Sequence, residues 1–230
     1  MHPMVKAVAF SEQLLNDPHD VPVTQVREFA PDMTLGGSAT DPALLALALI
    51  RTNVGLDAIS SCGPHAATYY AAIRSEGAGR VRTLPRMRDP LVTFRIPGHD
   101  MARLRAALGR LLLLLLAAGS ESVVPSVVGG SRVTTPDQIP EEVARLSRRR
   151  AELMTVHVRS SIPMGEDRTR CAVDSYGASH DVQGVLVNDA SILNGAPGIN
   201  PQGTVMALAI RNAEQFLIRN GAQPPVREFP

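Results

Sequence analysis

Apolar positions are spaced as short β-type runs before Pro97 and as helical stripes after it. Residues 4–10 (MVKAVAF) are β-compatible, the polar residues 16–20 read as a turn, and residues 21–29 read as strand again. Residues 41–51 (DPALLALALIR) put proline at an early helical position among dense Leu and Ala. That run fits a short helix or a buried strand, and its length does not decide. Residues 68–75, 80–84 and 91–96 predict three more strands, parted by Glu76-Gly77-Ala78-Gly79 and by Asp89-Pro90, with the spacing of an antiparallel meander.

Two helices follow. Asp100 is a competent N-cap for the first, and Gly119 closes it after the leucine run 111–116. Arg103, Arg105 and Arg110 alternate with Leu104, Leu108 and Leu111, so one face is wet and the other buried. Beyond Gly129-Gly130-Ser131 a second helix starts near Pro140. Glu141 and Glu142 fall in its first turn and Arg148 to Arg150 near its last, which complements the helix dipole. Residues 153–158 and 184–189 read as strands. A last helix runs from about Pro201 to Arg219 and stops at Asn220-Gly221. Residues 184–219 thus predict a βα unit, with Met206 and Ala207 packed in its core.

Composition narrows the function classes. The 230 residues carry 23 basic and 22 acidic side chains, 44% hydrophobic residues and 20% charged ones, a globular balance. A net charge of +1 removes the electrostatic case for nucleic acid or an acidic membrane. Lys6 is the single lysine, which reads as coding bias and not as a phosphate site. Cys62 and Cys171 cannot make a disulfide framework or a Cys-rich zinc site, and two thiols beside a real core read as reduced and cytoplasmic. The start of the chain lacks the features of a signal peptide. The strongest apolar run, 111–118, spans only about 12 Å as a helix, far short of a bilayer.

Most simple enzyme motifs are absent: GxGxxG, a Walker loop, HExxH and GxSxG do not occur. What remains lies between Val156 and Leu217. There stand His157-Val-Arg-Ser160-Ser161 through Met164-Gly165, Asp174-Ser175-Tyr176-Gly177, Asp189-Ala190-Ser191, and Asn200-Pro201-Gln202-Gly203-Thr204. Each piece has an ordinary structural reading. His157 fits a strand-end histidine held by a hydrogen bond, Asp189 the end of a strand, and Asn200 an N-cap followed by proline at N1.

In order and spacing, these pieces resemble the C-terminal segment of the glucose–methanol–choline (GMC) flavin oxidoreductases. A strand-borne His precedes a small-residue turn ending in Met-Gly, followed by a D-[AG]-S strand end and N-P-x-x-T opening the last helix. Upstream, His2-Pro3-Met4-Val5-Lys6, Phe29-Ala30-Pro31-Asp32, Gly36-Gly37-Ser38 and Ile73-Arg74-Ser75-Glu76-Gly77 resemble the family's substrate domain. The resemblance implies an FAD-dependent oxidation of an alcohol. It makes His157 the catalytic histidine and Asn200 its partner. Asp189 and Ala190 would touch the ribityl–pyrophosphate part of FAD, and Asn200, Pro201, Gln202, Gly203 and Thr204 would meet the flavin at a helix N-terminus.

Two departures matter. The turn after the histidine often carries Gly-Thr in the family and here is Ser160-Ser161. Arg159 shares the face of His157 by strand alternation, or else points to solvent where the chain turns. The family's GxGxxG half, which holds the ADP end of FAD, has no counterpart in these residues. The expected fold is α+β: a mostly antiparallel sheet flanked by helices, with a C-terminal βα unit of an incomplete FAD-binding domain. Residues 1–155 would be the substrate-domain-like region and 156–230 the catalytic, FAD-contacting segment. The implied partners are a small-molecule alcohol and a separate chain supplying the GxGxxG half. The alternative is a non-catalytic truncated or relic substrate-binding module.

Overall fold

The apolar run MVKAVAF forms strand β1 (Met4–Phe10), and every one of its residues is buried because both faces are covered. It pairs antiparallel with β4 (Ala66–Ile73) on one side and with β7 (Ser122–Pro125) on the other. Next to β4 lie β3 (Met33–Gly37) and then β2 (Gln25–Val26), giving the sheet order β2-β3-β4-β1-β7. The computed structural model describes residues 2–15, 24–38, 40–196, 198 and 200–223. They divide into two compact units: residues 2–78 with 94–156, and residues 79–93 with those from 157 onward. The expected turn at 16–20 and residues 21–23 of the next strand lie outside the described residues, as does the Cys62 side chain; Cys171 is a free thiol.

In the sheet-bearing unit, strand alternation divides the core. Val5, Ala7 and Ala9 meet helix α3 (Gly98–Ala117), whose Met101, Leu104, Leu108, Leu111, Leu112 and Leu115 form the buried stripe. Val8 and Phe10, on the other face, meet Leu45 and Leu49 of α1 (Pro42–Leu49) and Ala58 of α2 (Asp57–Cys62). The undecided run after Asp41 is a helix because Asp41 caps it: its Oδ1 accepts from the N–H groups of Ala43 (2.8 Å) and Leu44 (2.9 Å), with proline at N1. Helix α4 (Ile139–Arg145) is tied to α3 by Arg105, whose Nε donates to the Leu146 carbonyl at 2.8 Å.

The α+β class expected from the sequence is the one observed; several elements differ in detail. Strands β5 (Ala78–Arg82) and β6 (Leu91–Arg95) pair only with each other, so no meander forms with β4. Both are almost wholly exposed, with no apolar face to bury in a larger sheet. Asp100 is not the N-cap of α3. Pro97 holds that position, and Asp100 is turned inward to accept from Ser75 Oγ (2.6 Å) and the Glu76 N–H (3.1 Å). Helix α4 ends at Arg145, before the three arginines, because Leu146 turns to an extended conformation. Residues 153–158 contribute one bridge, Met154 to Met4, and residues 184–189 one bridge, Leu186 to Ala178. A strand needs a neighbour along its whole edge, and these segments meet one only at a point.

Candidate active site

The second unit contains every residue singled out above as a candidate. From His157 the chain does not continue as a strand. It passes buried Arg159 and turns at Ser160, which has φ +66°. Residues 160–164 then run beside 190–192, joined by three backbone hydrogen bonds. The N–H groups of Ser160, Ile162 and Met164 donate to the carbonyls of Ala190 (3.4 Å), Ser191 (3.1 Å) and Ile192 (3.1 Å). This seam brings the segment following His157 together with the Asp189 turn. Asp189 caps the short turn Ala190–Ile192, its Oδ1 accepting from the Ser191 N–H at 2.7 Å. The Ser191 side chain and then its N–H hold the Asp189 carboxyl below the ordinary range.

Gly165 has φ +151°, and a Cβ there would lie 2.9 Å from Cys171 Sγ. Gly177, at φ +85°, is a stricter case: a Cβ would overlap the Val187 carbonyl, which lies against it because the Val187 N–H donates to Gly177.

Helix α5 (Gln202–Arg219) is held to this body by polar contacts. Asn212, fully buried, donates from Nδ2 to Asn188 Oδ1 at 3.1 Å, while Asn188 Nδ2 donates to the Ala209 carbonyl at 3.1 Å. Arg219 pairs with Asp174 at 2.9 Å, and Arg211 donates to the Ser175 carbonyl. Both guanidiniums lie over the Tyr176 ring, at 5.0 and 5.2 Å. Much of the rest of α5 is exposed. Met206 is 57% exposed and Ala207 is exposed too, so neither packs in a core as expected: both lie on the face of α5 turned away from Asn212 and its partners. Phe216 and Ile218 are likewise exposed.

The helix starts one residue later than expected. Pro201 is the cap residue, and its carbonyl accepts the first helical bond, from Val205, at 2.9 Å. Asn200 therefore precedes the cap, and its side chain makes no hydrogen bond among the described residues. The first-turn N–H groups of Gln202, Gly203 and Thr204 have no side-chain cap. Asn200 and this first turn make no hydrogen bond with either edge of the seam. A groove of about 300 Å³ between α5 and residues 178–186 is lined by Tyr176, Leu186, Asn212 and Phe216, and by none of His157, Asp189, Ala190 and residues 200–204.

The electrostatics centre on His157 and Arg159. Arg159 is only 6% exposed, which corrects the solvent-facing option, and burial pushes its guanidinium down to about 10. Its Nη1 lies 3.5 Å from the His157 carbonyl oxygen. Partial burial, then the charge of Arg159, lowers the pKa of the His157 imidazole. Such a histidine is neutral at neutral pH and ready to accept a proton. The left-handed Ser160 and the Asn188–Asn212 pair were not read from the sequence, which left Arg159 open between the face of His157 and solvent. Only Asn212 left a trace, as a polar residue on the inward stripe of an amphipathic helix.

Ser160 carries a test of its own. A residue with a Cβ in the left-handed region costs about 1–2 kcal/mol, against about 0.5–1 kcal/mol of chain entropy for glycine. Ser160→Gly is expected to gain about 0.5–1 kcal/mol in urea unfolding, and Ser160→Val to lose more than about 1 kcal/mol.

Comparison with known proteins places these features in a family. A family model described as GMC oxidoreductase matches residues 75–209. An uncharacterized GMC-type oxidoreductase of Sinorhizobium fredii is 40% identical over 238 residues, which cover 99% of this chain and 46% of that protein. A long-chain-alcohol oxidase of Arabidopsis thaliana is 28% identical over 194 residues, 78% of this chain and 25% of its own length. Among solved structures, pyridoxine 4-oxidase from Mesorbium loti matches in fold with a TM-score of 0.56 and 18% identity, over 94% of this chain and 42% of that one. The chain spans about half the length of the first relative and about a quarter of the plant oxidase. No helix among the described residues is long and apolar enough to cross a membrane.

Proposed function

Since the chain belongs to the GMC oxidoreductase family, we propose that it is the C-terminal half of an FAD-dependent alcohol oxidoreductase, with His157 as the base and Asn200 as its partner at the substrate oxygen. The observation that carries this reading is the seam joining residues 160–164, which follow His157, to the Asp189–Ala190 turn. It makes one body of the proposed base segment and a proposed cofactor-facing turn.

The residues present suit the flavin end of FAD and not its ADP end. In support stand the uncapped first-turn N–H groups of Gln202, Gly203 and Thr204 and the positive end of an 18-residue helix, which favours negative charge. Asp189 keeps its charge through the contacts with Ser191, and Ala190 adjoins it without side-chain bulk. When bound, FAD supplies the hydride acceptor. His157 takes the hydroxyl proton on an imidazole nitrogen, and its lowered pKa keeps that nitrogen free at neutral pH. The Asn200 amide orients the same oxygen without adding a titration of its own. The GxGxxG half, which these residues do not contain, would also cover Met206, Phe216 and Ile218 on α5.

The test is co-expression with a polypeptide matching the part of the Sinorhizobium relative that this chain does not cover. A complex with flavin absorbance that oxidises primary alcohols is expected. A complex with neither bound flavin nor turnover would favour a non-catalytic binding module. A second prediction needs no partner. Arg159→Met removes the nearby positive charge and is expected to raise the His157 pKa toward its ordinary 6.5, read by NMR titration of the imidazole. No movement on that substitution would detach Arg159 from the base.

A further inference from the structure

Strands β5 and β6 and the turn between them concentrate positive charge. Residues 79–95 hold Arg80, Arg82, Arg86, Arg88 and Arg95 against Asp89, a local charge of +4. The chain totals +1, so everything outside this hairpin sums to −3. The near-neutral whole conceals a strongly basic part, which corrects the exclusion of an acidic membrane from net charge alone. Every residue from 78 to 93 is exposed, and so is Arg95. None of the five guanidiniums takes part in an ion pair or hydrogen bond among the described residues, whereas Arg51, Arg103, Arg145 and Arg219 each meet a carboxylate.

The same hairpin exposes apolar side chains. Val81, Leu84, Met87, Leu91 and Val92 stand in solvent, Met87 at 55% exposure. The chain reverses over residues 84–87, where the Met87 N–H donates to the Leu84 carbonyl at 3.2 Å. Pro85 takes the second position of this turn and Arg86 the third, at φ +67°. That third position ordinarily goes to glycine, so an arginine there holds backbone strain at the tip of an exposed loop. The turn sets Leu84 and Met87 close together, with Arg82, Arg86 and Arg88 around them.

We propose that this hairpin docks on an anionic lipid surface. Leu84 and Met87 enter the boundary between headgroups and acyl chains. The arginines reach lipid phosphates while their stems stay along the apolar residues. A charge cluster alone would suit any polyanion, but exposed Leu and Met at its tip gain from binding only where an apolar phase receives them. RNA fits less well, because no aromatic side chain stands among the exposed residues 78–93 to stack on a base. The site is independent of the alcohol-oxidation reading, and its test involves no turnover.

The experiment is sedimentation of the full chain with vesicles. Vesicles of phosphatidylglycerol and phosphatidylcholine in equal parts are expected to carry the chain down, and vesicles of phosphatidylcholine alone are not. Raising salt from about 0.1 M to about 1 M shortens the screening length from about 10 Å to about 3 Å and should release it. Arg86→Gln together with Arg88→Gln should lower the partition coefficient about 25-fold, each arginine near such a surface being worth about fivefold. Leu84→Ser with Met87→Ser should lower it about tenfold and leave its salt dependence intact. The same charge removed elsewhere, by Arg149→Gln with Arg150→Gln, should change it little. All six of these side chains are exposed, so the helix ellipticity of each variant should match that of the wild type. No preference for anionic vesicles, or equal losses from the two arginine pairs, would overturn the proposal. Capture by polyglutamate or RNA without sedimentation on lipid would overturn it as well.

Discussion

Replacing His157 with alanine in the flavin-loaded complex is expected to lower alcohol turnover by about 10²- to 10⁴-fold while flavin absorbance persists, the range usual for removing a positioned base. The hydroxyl proton must leave as hydride leaves carbon, and alanine offers it no acceptor. Flavin retention follows from where His157 sits. The seam is made by backbone groups of residues 160–164 and 190–192, and none of its three bonds uses the imidazole. The wild-type pH profile supplies a second readout. With a pKa lowered by burial and by Arg159, the acid limb should fall below pH 6.5, and Arg159→Met should move it up. Stability carries the same sign. Between the folded and unfolded pKa values the unfolded chain binds more protons, so His157 costs stability as pH drops through 6.5. Turnover by the alanine variant within tenfold of wild type, at equal flavin occupancy, would remove His157 from the chemistry.

Leu108→Ala is expected to cost about 2–5 kcal/mol, and Leu113→Ala no more than about 0.5 kcal/mol, although both lie in α3. Leu108 is fully buried in the core between α3 and the odd-numbered positions of β1, so truncation leaves a cavity that the rigid sheet cannot collapse to fill. Leu113 is 50% exposed and loses little. Urea unfolding of the two variants, followed by helix ellipticity, measures the difference. Equal losses would mean that the stripe facing the sheet is misassigned.

The elements legible in the chain were those whose pattern repeats inside one segment. β1 alternates between two cores, and Leu104, Leu108, Leu111 and Leu115 recur at helical spacing, so each could be read without knowing its neighbour. Gly119 after α3 is local too, since it closes only the turn before it. The order of the C-terminal motifs likewise survived as plain sequence, and with it the family.

Strand partnership did not. Residues 153–158 and 184–189 have the composition of strands, yet a strand's hydrogen bonds are supplied by another segment, and here each finds a single bridge. Asp100 has the chemistry of a cap, but the turn at Ser75-Glu76 reaches its carboxylate first. Arg159 turns inward and Ser160 takes a positive φ because residues 160–164 must lie against 190–192, some thirty positions away. Contacts between segments far apart in the chain leave no periodic trace in either one. Packing alone therefore chose the surroundings of His157, while spacing had already shown where to look.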